Sequence, residues 1–178
     1  MKQIVILAVV LNIILSSNSS QAGEISALQL LYLVKQAFPE KEQVEVFINK
    51  DEYKEKETNI KVASAQMKFK INVHLIEQAT DIGQAFGKIA DNSLLVIFTA
   101  EVFNKSSARL YVLSKCKDKQ VAIITTSKEY SDSGALLCVY KDENGQLKVV
   151  LNLKKNEHLK DRFTEEVIQK AGIQEVVM

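Results

Sequence analysis

Apolar residues in this chain recur at two periods, and the alternation between those periods repeats along its length. Ile25, Leu28, Leu31 and Tyr32 fall at helical spacing, with Ser26 as a cap and Pro39 as a stop, so Glu24 to Phe38 is expected to be a first helix. Val44, Val46 and Ile48 then alternate with polar neighbours, the period of a strand with one buried face. The charged run Asp51 to Glu57 starts a solvated helix that Ile60, Ala63 and Met67 continue, and Phe69, Ile71, Val73 and Leu75 alternate with Lys70, Asn72 and His74 as a half-exposed strand near a sheet edge. Thr80-Asp81 reads as the cap of a helix carrying Ile82, Ala85, Phe86 and Ile89, in which Gly83 and Gly87 permit close packing. Leu94 to Phe98 and Val121 to Thr125 are continuous apolar runs, the mark of strands covered on both faces, and Ser106 to Leu113 supplies the helix between them.

The sharpest local signal is Gly134 to Asn152. Two apolar runs flank Asp-Glu-Asn-Gly, and Asn144-Gly145 offers the positive-φ positions of a tight hairpin turn. Leu147, Val149, Leu151 and Leu153 line one face of the second strand. The stripe of Leu159, Phe163 and Val167 marks a C-terminal helix. Strand and helix thus alternate about four times before the hairpin. The expected fold class is α/β: a single three-layer domain with a mixed, mostly parallel sheet, helices on both faces, and a C-terminal β-hairpin plus helix.

The first residues lie outside this pattern. Lys2 precedes the apolar run Ile4 to Leu15, and Ser20-Gln21-Ala22 is a small-x-small cleavage site, so residues 1–22 read as a signal peptide removed after Ala22, leaving residues 23–178 as the α/β domain. The run is too short for the roughly 20 apolar residues of a membrane span. No cysteine follows it to accept a lipid, and the expected location is the periplasm. A formal net charge of +1, with lysines and glutamates interspersed, offers no basic field for nucleic acid or anionic lipid. In an oxidising compartment Cys116 and Cys138 are a candidate disulfide; two separate buried thiols are the alternative.

Catalytic chemistry finds little support. There is no Gly-x-Gly-x-x-Gly, no Gly-Lys-Ser or Gly-Lys-Thr, no Gly-x-Ser-x-Gly and no Cys-x-x-Cys. His74 and His158 stand without a carboxylate or cysteine at ligand spacing and are expected to be exposed and inert, so neither a metal nor a cofactor is called for. The stretch with ligand-binding promise is Thr125 to Gly134, TTSKEYSDSG, leaving the carboxyl end of a central strand, where open α/β sheets bind small molecules. Its candidate ligand or partner residues are Thr125, Thr126, Ser127, Tyr130, Asp132 and Gly134; an ordinary polar loop is the alternative.

The helix LLYLVKQAFP, the strand LLVIFT and the order VAIITTS, SGALLCVY, LKVVLNL resemble the YfiR-like family of small exported bacterial proteins. That family typically has a glycine after the first strand, where this chain has Asn49, and paired glycines before the hairpin, where it has Ser133-Gly134. The resemblance implies a periplasmic regulatory protein, not an enzyme, that restrains a membrane-bound signalling protein such as a diguanylate cyclase by binding its periplasmic domain, an input to cyclic-di-GMP signalling. It leaves a homodimer open. A binder of a small envelope solute at the Thr125 to Gly134 loop is the alternative.

Overall fold

The computed structural model describes residues 25–178. The leader, its cleavage site and Glu24 lie outside them. Seven strands form one sheet in the order β2-β1-β3-β4-β5-β6-β7: β1 Gln43–Ile48, β2 Lys70–Leu75, β3 Leu94–Ile97, β4 Ala122–Thr125, β5 Leu137–Lys141, β6 Leu147–Asn152 and β7 Glu175–Val177. Every pairing is parallel except that of β5 with β6. The α/β class, the mostly parallel mixed sheet and the edge position of β2 are as the periodicity predicts.

Helices cover both faces. α1 (Ala27–Ala37) and α2 (Lys50–Met67) lie on one, with the C-terminal helix α7 (Glu165–Lys170). α3 (Ala79–Phe86), α4 (Glu101–Asn104), α5 (Ser106–Asp118) and α6 (Lys128–Ser133) lie on the other. The pleat divides each strand between two cores. Val44, Val46, Val96, Ile124 and Leu137 meet Leu30, Leu31 and Val34 of α1, whereas Phe47, Leu95, Ile97 and Ile123 meet Ile82, Phe86, Phe103 and Val112. A strand covered twice must be apolar on both sides, which is why β3 reads as an unbroken run of Leu94, Leu95, Val96 and Ile97. Phe47 anchors the second core, its ring edge-on to Phe86 at 5.4 Å and stacked with Phe103 at 6.2 Å.

Helix starts follow local chemistry. Ser26 caps α1 in a reciprocal pair with Gln29, at 3.2 and 3.1 Å. α2 is one 18-residue helix in which the charged run is the solvated face, and the Asn49 side chain accepts from Asp51 N at 2.9 Å. Asn49 is therefore the helix cap. The cap of α3 is Gln78 rather than Thr80-Asp81, with Asp81 Oδ2 accepting from the backbone N–H groups of Glu77 and Gln78 at 2.9 and 3.0 Å. Those two donors hold the Asp81 carboxyl below the usual carboxylate range.

Three further expectations need correction. Asn144 does not adopt positive φ; only Gly145 does, at 74°, and its N–H donates to Asp142 O while Asp142 N–H donates to Gln146 O. Asp142 Oδ1 also accepts from Asn144 N and Gln146 N, so the connection is a three-residue turn closed by a glycine bulge. The C-terminal stripe is broken into a 3₁₀ turn, Glu157–Arg162, and α7, which Thr164 caps afresh. The short strand β7 pairs with β6 and takes the edge. Finally, His74 is not exposed: its side chain retains 13% of its accessible surface, and Nε2 lies 2.7 Å from Glu45 Oε2. Glu45, on the same sheet face as Phe47, also accepts from Asn72 Nδ2 at 2.9 Å and Gln43 Nε2 at 2.8 Å. Burial works to raise its pKa, and donation from His74, Asn72 and Gln43 overrides this, so the carboxyl stays below its ordinary value.

Candidate functional site

The order β2-β1-β3 contains a topological switch point. From β1 the chain crosses to β2 on one side through α2, then returns through α3 to β3 on the other, and the carboxyl ends of β1 and β3 splay their loops apart. A crevice of about 580 Å³ opens there, within the roughly 300–1,000 Å³ of ordinary small-molecule sites. Its walls are the segments that leave the strands: Asn49, Glu52 and Lys56 after β1, Glu77 and Gln78 after β2, and Thr99 to Val102 after β3, with Ser107 and Ala108 of α5 closing one side.

The lining carries Glu52, Glu55, Glu77 and Glu101 against Lys56 and Lys105. Lys56 Nζ lies 3.3 Å from Glu52 Oε1 in a nearly buried pair, Lys105 lies 3.8 Å from Glu101, and Lys50 reaches Glu77 at 3.3 Å from the rim. The positive end of the α2 dipole, which would otherwise attract an anion, is already met by the Asn49 cap and by Asp51 and Glu52 in the first turn. The crevice therefore offers both signs, with carboxylate in excess. No group of three His, Cys, Asp or Glu side chains able to hold a metal occurs among the described residues, and none of their helices is long and apolar enough to cross a membrane.

The Thr125 to Gly134 segment lies one strand further along, after β4, and most of it is spent on structure. Thr125 is fully buried and its Oγ1 accepts from Ser127 N at 3.0 Å. Ser127, nearly buried, donates from Oγ to Glu129 Oε2 at 2.6 Å, which holds that carboxyl low. Tyr130 is fully buried and donates to Phe103 O at 3.2 Å; burial pushes its hydroxyl pKa up. Gly134 ends α6 at φ 127°, and Asp132 is exposed. Only Thr126 turns toward the crevice. Its Oγ1 accepts from Thr99 N at 3.2 Å and lies 2.7 Å from Thr99 Oγ1, so it braces a wall residue without lining the hollow.

Cys116 and Cys138 are both free and buried, so the candidate bridge is not formed. Cys116 packs in the second core between Val112 and Val121, and Cys138 Sγ donates to Ser127 O at 3.4 Å. Burial pushes both thiols up, Cys138 to about 12.

The residues that periodicity misses are Asn49, Gln78, Thr99, Ala100 and Glu101. Each follows the end of a strand that the pattern does find; the signal available was the strand order, which places the crevice between the first and third strands instead of after the fourth.

This arrangement defines a doubly wound α/β domain, and comparison with known proteins agrees on the fold. A conserved domain protein from Vibrio cholerae O1 biovar El Tor superposes with a TM-score of 0.70 at 16% identity, over 86% of this chain and 61% of its own. An ABC domain from Streptococcus pneumonia, solved in complex with L-Trp, gives 0.67 at 15% identity over 85% and 62%. A substrate binding protein with adhesive properties from Clostridium difficile, in a ligand-free, open structure, gives 0.60 at 15% over 85% and 57%. The chain thus spans about three-fifths of the length of these solved structures. No family model and no curated protein matches it.

Proposed function

We propose that the protein is a periplasmic binding module for a small, amine-bearing solute, amino acids included, held in the crevice at the carboxyl ends of β1 and β3. The observation that carries this reading is the crevice itself: an ordinary ligand-sized hollow at the switch point, with an excess of carboxylates and an α2 terminus whose positive end is already compensated. Similarity in fold to a domain solved with L-Trp and to a substrate binding protein supports the same class. Glu55, and Glu77 shared with Lys50, are the acceptors for an ammonium, while Lys105 suits the carboxylate of a zwitterion. No bond-making role is assigned to any residue. The test compares n-butylamine with butyrate at 10 mM by thermal shift. Stabilisation by the amine alone, reduced in Glu77→Gln, supports the reading; stabilisation by butyrate instead, or by neither, rejects it.

A regulatory role on a membrane signalling partner, as the YfiR-like resemblance implies, is the second reading. Leu110, 66% exposed beside the half-exposed Tyr111 on α5, favours it as an apolar contact on the surface of that helix. Co-purification with a membrane receptor's periplasmic domain, lost in Leu110→Asp, checks it; equal capture by that variant removes its basis. The periplasmic location itself is tested by the mass of the exported chain, which should begin at Gly23.

A further inference from the structure

We infer that the solute held in the crevice carries an apolar side group, an aromatic ring above all, seated in a second hollow between α3 and α5. This rests on the reading of the crevice as an amine site and specifies the rest of the molecule that the site takes. Next to the crevice lies an open groove of about 350 Å³ lined by Ala79, Thr80, Ile82, Gly83, Ser107, Ala108 and Tyr111. Ala79, Ser107 and Ala108 line both hollows, so the two adjoin across small side chains over which a molecule seated in the crevice can extend into the groove. Their chemistry differs. The crevice is rimmed by Glu77, Glu101 and Lys105, whereas the groove contains no charged side chain and is floored by Ile82, Gly83 and Ala108.

Gly83 narrows one end of the groove's wall to backbone. It lies within α3, where alanine would be the better helix former, and a Cβ there would stand 3.5 Å from Tyr111 Oη, in ordinary contact, so the Tyr111 hydroxyl approaches α3 at this point and any side chain longer than alanine would grow into the groove or against the ring. Tyr111 forms the opposite wall. Its ring stands edge-on to Phe86 at 6.3 Å and retains 41% exposure, leaving ring surface for a ligand. Small residues on one wall, an aromatic on the other and a charged crevice at one end together select an amphipathic amine over a purely polar one.

Isothermal titration with n-butylamine and 2-phenylethylamine tests this on the full-length mature protein. The expected result is at least tenfold tighter binding of 2-phenylethylamine. Tyr111→Ala and Gly83→Leu should each remove most of that advantage, while Tyr111→Phe retains it and n-butylamine binding is unchanged throughout. Gly83→Leu closes the groove without deleting a packed side chain, and thermal unfolding of each variant verifies that it is folded. Equal affinity for the two amines, or a ring advantage untouched by both Tyr111→Ala and Gly83→Leu, overturns the inference and leaves the amine site standing. If neither amine binds, the reading of the crevice falls and this inference with it. If Leu110→Ala, outside the groove, weakens 2-phenylethylamine as much as Tyr111→Ala does, the ring binds to an exposed patch and the groove assignment is overturned.

Discussion

Replacing Glu45 with alanine should cost about 2–4 kcal/mol, because it removes one carboxylate from three donors at once. Glu45 is 2% exposed and accepts from His74 Nε2 at 2.7 Å, Gln43 Nε2 at 2.8 Å and Asn72 Nδ2 at 2.9 Å. Gln43 is exposed and regains water, but the His74 side chain is only 13% exposed and loses its partner beside the Phe47 ring, 5.6 Å away. Hydrogen bonds to charged groups are worth roughly 1.5–3 kcal/mol each, discounted here because two of the donors reach solvent. For a chain of this size the melting temperature should fall by roughly 5–15 °C. The pH dependence has a definite sign. The folded carboxyl titrates below its ordinary value of 4.5, so its stabilisation is fully present above that value and is lost as pH falls through the depressed folded pKa. Urea unfolding of wild type and Glu45→Ala between pH 3 and 7 should show a stability difference that is fully present at about pH 5 and narrows as the pH falls further. A difference under about 0.5 kcal/mol at pH 7, or one that grows on acidification, would refute the network as described.

Tyr130→Phe leaves the buried Phe103 carbonyl without its donor and should cost about 1–2 kcal/mol in urea unfolding; no change would place that hydroxyl in contact with water. Gly134→Ala forces a side chain onto φ 127° and should cost roughly 1–3 kcal/mol, although the nearest heavy atom to a Cβ there, on Lys155, is 3.6 Å away; a neutral result would mean that the backbone relaxes. Cys116 and Cys138 should resist alkylation at pH 8 in the native protein and both react in denaturant without reductant; a mass showing two hydrogens fewer and no label would mean the bridge forms after all.

Periodicity reads the strands well because burial on one or two faces leaves an unmistakable trace, as in β3 and in β2, whose polar Lys70, Asn72 and His74 alternate with Ile71 and Val73. It fails where a partner distant in sequence decides the outcome. His74 looks solvent-facing until β1 brings Glu45 beside it, 29 residues away. Residues 175–177 are too few to show a period and become a strand only because β6 offers an open edge. The hydroxyl-rich Thr125 to Gly134 stretch advertises polar chemistry that the fold consumes in hydrogen bonds within the turn into α6 and in bracing Thr99. The crevice has no local signature, since Asn49, Gln78 and Thr99 come from three loops and only the crossing order of the strands gathers them.

Nuclear magnetic resonance of uniformly ¹⁵N-labelled protein titrated with 2-phenylethylamine tests the central claim most directly. Saturable amide shifts should cluster at Asn49, Gln78, Thr99, Ala100 and Ala108, with Gly83 and Tyr111 reporting the ring. Shifts confined instead to the smaller apolar cleft lined by Leu33, Val139 and Val149, or to Ser127 through Gly134, would contradict a solute site at the switch point.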